Sequence, residues 1–432
     1  MTSFSLKTLV GAVVAQMAAA KMTTAEYFYN KDRPLVIAHR GAFGHAPEES
    51  LASFVDAYYG GADFLEMDLQ ISKDLHLIVQ HDETLNNTTS IYEYGGRWED
   101  LQRDDGNWYV EDFTLVQLKM LRRFQKYQTY RSPMLNDRYD ILTMNELIEN
   151  VMMMIEDGPR KVNKGTPAGL YIELKDYDDK LAKGNDVAEM LFEVLKAHGI
   201  SNIADATAYP MPIIIQSFDK NGLLKMATLT DLPLLQLCHA SGSIYDYDDI
   251  ATYANGVGVP SDWIMNSLSS TEMLMEMGFD FNKTTQDEDY SNFIQQMHDL
   301  ELAVHPYTVQ DDKLHYESKV YDETELYVNK GVDGLFVEFP HTQYVLLNHF
   351  GSKANFPAAA EAEVVAEVVA ETPFDFLNWV ENDRLKNSLT SSDTNERGIT
   401  SDIENDWIYL KALSKIIPSI LLFIQFRIYT IL

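Results

Sequence analysis

Cysteine is almost missing from this 432-residue chain, which contains only Cys238. A single thiol excludes an internal disulfide framework and any zinc site built on cysteines. Basic residues are also scarce, with 34 Lys and Arg against 66 Asp and Glu, and the formal net charge is -32. Such a surface repels nucleic acids and anionic membranes, so we expect no nucleic-acid partner. A local Arg, Lys or divalent metal can still attract an anion into a cleft.

The sequence contains no apolar run of comfortable membrane-spanning length. The longest near the end, residues 416–426, has eleven residues and is interrupted by Pro418, which is too short for a span. Residues 411–432 are therefore left open as a peripheral anchor, a packed helix or a wrongly assigned end of the reading frame. Before them, residues 356–410 carry twelve Asp and Glu against three Lys and Arg, which predicts a flexible acidic extension.

The first twenty residues have the pattern of an export signal. Lys7 precedes an apolar stretch, and three alanines at 18–20 offer small residues for cleavage. An amphipathic or disordered leader is the alternative. We favour the signal peptide over residues 1–20, which predicts a secreted, periplasmic or extracellular protein.

From residue 33 to 350, short apolar runs alternate with stretches of helical periodicity. The helical stretches with apolar residues at helix spacing are 49–59, 143–154, 187–198, 219–229, 270–277, 290–300 and 323–329. The apolar runs predict nine strands at 35–38, 62–71, 75–80, 169–175, 213–217, 234–238, 256–259, 302–305 and 334–338. Parallel crossovers of this kind predict a (β/α)₈ TIM barrel rather than an open sheet. We assign the surplus strand to a hairpin at Lys73-Asp74.

Residues from 82 to about 140 interrupt this alternation. They are rich in Asn, Tyr, Gly, Asp and Arg. A segment of this length between core elements is usually an active-site cap or a binding insertion. We therefore predict a long insertion after the strand that ends at His81.

Polar residues stand at the predicted strand ends, where barrel enzymes place their active sites. The first strand ends in His39 and Arg40, an imidazole that can move a proton near neutral pH and a guanidinium that can hold a phosphate. His81, followed by Asp82, ends the third strand and supplies a second imidazole. A lone histidine is more often structural than catalytic. The repetition at successive strand ends favours function. Weaker members of the same series are Gln216, His305, Tyr307 and Glu338.

Carboxylates also occur inside the predicted strands. Glu66 and Asp68 alternate along one strand, so both project to the same side. Apolar neighbours imply burial, and two buried carboxylates repel each other unless a cation neutralises them. Oxygen ligands suit Ca²⁺ or Mg²⁺. Solvated edge carboxylates are the alternative for this pair, and a structural ion pair is the alternative for Glu173 and Lys175.

Taken in order, these motifs resemble the glycerophosphodiester phosphodiesterase family, most closely its exported, periplasmic-type branch with a long insertion after a His-Asp pair. The resemblance covers roughly residues 33 to 350. It is carried by His39-Arg40-Gly41 with Pro47-Glu48, Glu66-x-Asp68, His81-Asp82, Tyr171-Ile-Glu-Leu-Lys175, Gln216-Ser-Phe, His305-Pro-Tyr-Thr-Val and Gly331-Val-Asp-Gly-Leu-Phe336.

The resemblance implies metal-dependent hydrolysis of glycerophosphodiesters, such as glycerophosphocholine, to sn-glycerol 3-phosphate and an alcohol. Calcium is the usual ion in this branch, with magnesium as the alternative. The implied metal ligands are Glu66, Asp68 and Glu173. The implied acid-base pair is His39 and His81, with the roles of acid and base undivided. The implied substrate-binding residues are Arg40 for the phosphate, with Glu48 and Lys175 lining the same pocket.

The chain departs from the family's pattern at three places. Glu49-Ser50 replaces a frequent Asn-Thr, Asn87 stands where Arg is common, and Glu338 stands where Asp is frequent. None of these is an implied ligand or histidine, so they concern substrate detail more than activity.

Two other functions remain open. One is a lysophospholipase D or phospholipase C-like activity on lipids, for which the aromatic insertion, with Tyr92, Tyr94, Trp98, Trp108 and Tyr109, would admit an acyl chain. The other is a non-catalytic barrel that binds a partner through its acidic extension. The intact set of histidines and carboxylates argues against the second.

Overall fold

The computed structural model describes residue 28 and residues 32–239, 245–265 and 291–351. The predicted signal peptide, the helix predicted over 270–277, the acidic extension and the apolar tail lie outside the described residues. Among the described helices, none has both the length and the hydrophobicity that a membrane crossing requires.

Eight parallel strands form the body of the protein, in the order β8-β7-β6-β5-β4-β2-β1-β9. The edges β8 and β9 meet near Val309, whose backbone amide donates to the carbonyl of Phe336 over 2.8 Å. The sheet is thus a nearly closed barrel, and the predicted fold class is confirmed. The strands are β1 Leu35–Ala38, β2 Phe64–Ile71, β3 Leu77–Val79, β4 Gly169–Leu174, β5 Ile213–Ser217, β6 Leu234–Leu237, β7 Gly256–Pro260, β8 Ala303–Tyr307 and β9 Gly334–Val337.

The ninth strand, β3, lies outside the parallel order. It pairs antiparallel with β2, with Leu69 opposite Val79. The hairpin predicted at Lys73-Asp74 therefore accounts for the surplus strand. On the return strand, the amide of Gln80 donates to the carbonyl of Asp68 over 2.9 Å, so His81 lies close to the carboxylates of β2.

Helices connect the barrel strands. Described helices occupy six of the seven predicted stretches, 49–59, 143–154, 187–198, 219–229, 290–300 and 323–329. The sequence analysis missed the helices Tyr177–Ala182, Ile203–Ala208, Tyr247–Ile250 and Pro340–Gly351. The helix Met144–Glu156 begins with a capping box: the hydroxyl of Thr143 accepts from the amide of Glu146, and the carboxylate of Glu146 accepts from the amide of Thr143. The α-helices are α1 Leu51–Tyr59, α2 Ile91–Tyr94, α3 Leu115–Leu118, α4 Met144–Glu156, α5 Tyr177–Ala182, α6 Val187–Ala197, α7 Ile203–Ala208, α8 Lys220–Leu229, α9 Tyr247–Ile250, α10 Ser291–Asp299, α11 Val320–Lys330 and α12 Pro340–Gly351.

The barrel core includes a histidine that the sequence places at a strand end. His305 lies within β8 and is fully buried. Its Nδ1 is 3.1 Å from the hydroxyl of Tyr171, and its Nε2 is 3.2 Å from the carbonyl of Phe28. Because both ring nitrogens have partners in the core, His305 is a structural residue of the barrel.

The insertion between β3 and α4 has an apolar core of its own. Trp98 and Trp108 are buried there and pack with Phe113. The indole N–H of Trp108 donates to the carbonyl of Trp98 over 2.9 Å. The tryptophans therefore hold the insertion together and do not line an open groove.

Candidate active site

Strand register brings the predicted carboxylates together. Asp68 on β2 is the direct partner of Glu173 on β4, and Glu173 is in turn the partner of Gln216 on β5. Glu66 lies two residues before Asp68, on the same face of β2. One oxygen each from Glu66, Asp68 and Glu173 lies within 4.8 Å of the other two. All three side chains are buried, which excludes solvated edge carboxylates.

Each member of this acidic triad (Glu66, Asp68 and Glu173) has different neighbours. Glu66 accepts from the backbone amide of Arg40 over 2.8 Å and from Nε2 of Gln216 over 3.0 Å. Nζ of Lys175 lies 3.1 Å from Oδ1 of Asp68 and 2.8 Å from Oε1 of Glu173. Oδ2 of Asp68 is buried without a hydrogen bond and lies 3.5 Å from Nε of Arg40.

The triad holds more negative charge than its neighbours neutralise. Burial, and then Asp68, raise the pKa of Glu66 well above its usual range. Burial raises the pKa of Glu173 to about 8, although Lys175 opposes the shift. The pKa of Asp68 is lowered, because Lys175, His81 and Arg40 outweigh the effect of burial. A buried oxygen-rich set of this kind fits a hard divalent cation.

A second group of possible metal ligands, Glu48, His81 and Asp82, lies close by. Oε2 of Glu48 already accepts from Nη1 of Arg40 over 3.0 Å. Asp82 is bonded to both His81 and Lys126. Asp82 and His81 are thus already paired with each other and with Lys126, although Oε1 of Glu48 is buried without a hydrogen bond. The acidic triad, whose three members are all buried carboxylates, is the better candidate for a cation.

Arg40 is held in an unusual backbone conformation at the end of β1. Its φ is 55° and that of Gly41 is 79°, so the chain turns sharply and the guanidinium enters the carboxylate cluster. Burial works to lower the pKa of Arg40, but Glu48 and Asp68 hold it above its ordinary value. The side chain is therefore a fixed cation in the site.

His39 and His81 have matching surroundings. Nδ1 of His39 is 3.3 Å from Oε1 of Glu338, and Nδ1 of His81 is 2.7 Å from Oδ1 of Asp82. The pKa of each histidine is lowered, first by burial and then by Arg40, while its carboxylate opposes the shift.

Comparison with known proteins agrees with this geometry. Residues 39–342, more than half of the chain, match the model of the glycerophosphoryl diester phosphodiesterase family. The chain belongs to this family. The predicted family and enzyme class are confirmed. The exported, periplasmic-type branch stays a prediction.

Individual members of the family cover most of the chain. A glycerophosphodiester phosphodiesterase of Arabidopsis thaliana is 29% identical over 340 residues, which are 71% of this chain and 84% of the relative. One from Haemophilus influenzae is 27% identical over 383 residues, which are 79% and 96%. A crystal structure from Silicibacter pomeroyi, 20% identical, superposes with a TM-score of 0.51 over 76% of this chain and 98% of that chain, which supports the barrel fold.

The sequence motifs of the family miss several residues that shape the site. Glu49, noted above only as a departure, accepts from the backbone amide of Asp68 over 2.9 Å and from that of His81 over 2.7 Å. Lys126 and Arg131 reach the site from the insertion. Alternation along a strand cannot reveal these three, because they lie on loops.

Proposed function

We propose that the chain hydrolyses glycerophosphodiesters, such as glycerophosphocholine, to sn-glycerol 3-phosphate and an alcohol. The observation that carries this proposal is the position of Arg40 and Lys175, which lie within the buried acidic triad. A phosphodiester is an anion whose charge grows as the bond breaks. Fixed cations in a buried site stabilise that charge more strongly than they would in water.

We propose that Glu66, Asp68 and Glu173 hold a divalent ion, with Ca²⁺ as the first choice and Mg²⁺ as the alternative. Oδ2 of Asp68 is buried and accepts no hydrogen bond, and the pKa of Glu173 is raised; both observations support a cation here. When bound, such an ion supplies Lewis-acid polarisation of a phosphoryl oxygen. Arg40 contacts the phosphate, and Glu48 and Lys175 line its pocket.

His39 and His81 form the acid-base pair in this proposal. A carboxylate occupies Nδ1 of each ring, so Nε2 is the nitrogen that exchanges a proton with substrate. One histidine deprotonates the nucleophile and the other protonates the leaving alkoxide. With water as the nucleophile, this step gives sn-glycerol 3-phosphate directly. With the glycerol 2-hydroxyl as the nucleophile, it gives a cyclic phosphate, which water then opens. The lowered pKa of both rings keeps them neutral near pH 7, which is the state that a general base needs. An anionic substrate raises the pKa of the ring that acts as the general acid.

A turnover assay with a panel of glycerophosphodiesters tests the proposal, with Ca²⁺ or Mg²⁺ supplied and sn-glycerol 3-phosphate as the readout. His39→Ala and His81→Ala should each reduce turnover by about 10²- to 10⁴-fold while circular dichroism remains that of the folded protein. Unchanged turnover in either variant would overturn the acid-base assignment. Absence of turnover on every diester would instead favour the interpretation of the chain as a non-catalytic barrel.

The structure gives less support to an activity on lipids than the sequence does. Trp98 and Trp108, the largest aromatic side chains of the insertion, are buried in its own core. Parallel assays on deacylated diesters and lysophospholipids compare the two substrate classes.

We also propose export through residues 1–20, which N-terminal sequencing of the secreted protein would test.

A further inference from the structure

The two histidines share a feature beyond their carboxylates. Each carboxylate contacts a cation, and both cations come from the same short stretch of the insertion. Nζ of Lys126 lies 2.9 Å and 2.7 Å from the two oxygens of Asp82. Nη2 of Arg131 donates to Oε2 of Glu338. The cations behind the two rings are thus five positions apart on one loop.

This stretch, residues 123–131, is fixed to the barrel at both ends. Arg123 is fully buried and donates to the side chain of Gln80 and the carbonyl of Val79, next to His81. At the other end, Nη1 of Arg131 donates to the carbonyl of Phe43 over 3.4 Å, in the loop that follows β1. The stretch therefore spans from the strand end that carries His81 to the loop that follows His39.

Further contacts hold Arg131 in place. Its Nε and Nη2 bond to the two oxygens of Asp312 at 2.7 Å and 2.9 Å. Its guanidinium lies 4.6 Å from the ring centre of Phe43. Nε2 of Gln310 donates to both oxygens of Glu338, at 3.1 Å and 3.0 Å. Because the cation and the carboxylate are both immobilised, the ring of His39 has one preferred orientation.

We propose that Lys126 and Arg131 are positioning residues, which fix Asp82 and Glu338 so that His81 and His39 each keep a proton on Nδ1 and present Nε2 to substrate. The proposal rests on the two-histidine chemistry proposed above. It assigns to the insertion a role in the acid-base step in addition to covering the barrel.

The protonation states of the carboxylates support this assignment. The pKa of Glu338 is lowered to about 2, because His39 and Arg131 outweigh burial, and the pKa of Asp82 is lowered by His81 and Lys126. An ionised carboxylate only accepts hydrogen bonds. The partner nitrogen, Nδ1, must then donate, so the tautomer of each neutral ring follows from the ion pair behind it.

The expected effect of removing each cation is local. Besides its carboxylate, His39 faces Arg40 and Asp68, and His81 faces Arg40, Asp68 and Lys175. None of these groups contacts Lys126 or Arg131. Lys126→Met leaves Asp82 unbalanced and should raise the pKa of His81 by about one unit, with His39 unchanged. Arg131→Met should raise the pKa of His39 by a similar amount, with His81 unchanged.

Nitrogen-15 NMR of the imidazole rings in the full chain measures these changes without turnover. In the wild type, both rings should show the Nδ1-protonated neutral tautomer. In Lys126→Met and in Arg131→Met, kcat should fall by on the order of 10-fold, with a smaller change in KM. Each of the two variants should shift a different limb of the pH profile of turnover. Lys126→Arg and Arg131→Lys should restore most of kcat.

Arg103→Met is the matched control, because Arg103 is an insertion cation whose partners, Glu111 and Asp112, contact neither histidine. It should change neither titration. If a methionine variant unfolds, Asp82→Asn and Glu338→Gln give the same test, and the pKa of the paired ring alone should then fall. Equal shifts of both rings, unshifted rings, or an Nε2-protonated tautomer in the wild type would overturn the proposal. A wild type without turnover but with selective ring shifts would instead reject the proposed function and keep the positioning role.

Discussion

Asp68 and Glu173 are direct partners across the parallel strands β2 and β4, and Nζ of Lys175 lies within 3.1 Å of both carboxylates. Two buried carboxylates at adjacent register positions repel each other. Lys175 and Arg40 supply two positive charges, and Arg40 is shared with Glu48, so they do not neutralise Glu66, Asp68 and Glu173. The site thus carries uncompensated negative charge, which a bound divalent ion would neutralise.

Metal binding should therefore stabilise the fold. At a free Ca²⁺ concentration of 100 times Kd, the free energy of unfolding should rise by about 2.7 kcal/mol over the value in chelator. Glu173→Gln should remove most of this gain in thermal unfolding.

In chelator, the raised pKa of Glu173 means that wild-type stability falls as pH rises from 4.5 to about 8, since the folded state holds the proton more tightly.

The control for this prediction is Glu193→Gln, an exposed carboxylate on α6 that pairs with Lys196. It should keep the full gain from Ca²⁺. A Glu173→Gln variant that gains as much stability from Ca²⁺ as the wild type would show that the ion binds elsewhere.

Glu49 should be important for stability, because it joins two strand ends. Its carboxylate accepts from the amides of Asp68 and His81, and it lies 4.0 Å from Nη2 of the buried Arg123. Glu49→Leu would leave two backbone N–H groups without their acceptor. It would also remove a negative charge beside the buried Arg123. We expect the free energy of unfolding in urea to fall by about 3–5 kcal/mol.

Glu49→Gln retains one acceptor oxygen, so its loss should be smaller than that of the leucine variant. Glu193→Leu, on the surface, should change the urea midpoint little. A Glu49→Leu protein as stable as the wild type would contradict a bridging role for this carboxylate.

The barrel and the pair Glu66 and Asp68 follow from the sequence because strand periodicity is local, whereas the family resemblance alone implies Glu173 as their third partner. Alternate positions put Glu66 and Asp68 on one face, and strand order brings Glu173 beside them. The same rule fails for His305. It marks a polar residue in a strand, but the partners that make it structural, Tyr171 and Phe28, come from distant parts of the chain.

The insertion shows the limit of local patterns more clearly. Lys126 is 44 residues from Asp82 in sequence, and Arg131 is 207 residues from Glu338. No periodicity links a loop cation to a strand-end carboxylate at such separations. The sequence predicts that the segment covers the site, and only the folded chain shows which of its cations reach the histidines' partners.

Gly41 should be irreplaceable for a steric reason. A Cβ added there would lie 2.5 Å from Oγ and 2.7 Å from the backbone carbon of Ser53, whose hydroxyl donates to the carbonyl of Arg40. Gly41→Ala should lower the free energy of unfolding by the cost of a left-handed alanine, about 1–2 kcal/mol, plus about 1–3 kcal/mol for the clash. Displacement of Arg40 should also lower turnover.

Gly199 is a matched control for this substitution. Its φ is 79°, the same as that of Gly41, but a Cβ there would have nothing within 4 Å. Gly199→Ala should therefore show the backbone cost alone in urea unfolding and keep full turnover. Equal losses in the two variants would mean that Ser53 yields without cost.

His305 should make the protein sensitive to acid. Burial lowers its pKa from 6.5 to about 4, so between these values the unfolded chain binds a proton that the folded chain does not. Stability is then complete above pH 6.5 and falls as pH drops towards 4, by about 3 kcal/mol for this one group. His305→Gln should lose that part of the pH dependence in urea titrations at pH 7 and 4, whatever its stability at pH 7.

His298 provides a control of opposite sign for the same titrations. Its hydrogen bond to Asp333 raises its pKa, so its contribution is present below pH 6.5 and is lost as pH rises. His298→Gln should therefore cost more stability at pH 5 than at pH 8. If His305→Gln and the wild type lose equal stability between pH 7 and 4, the buried ring already takes up its proton in the folded state, and its two core hydrogen bonds do not hold it neutral.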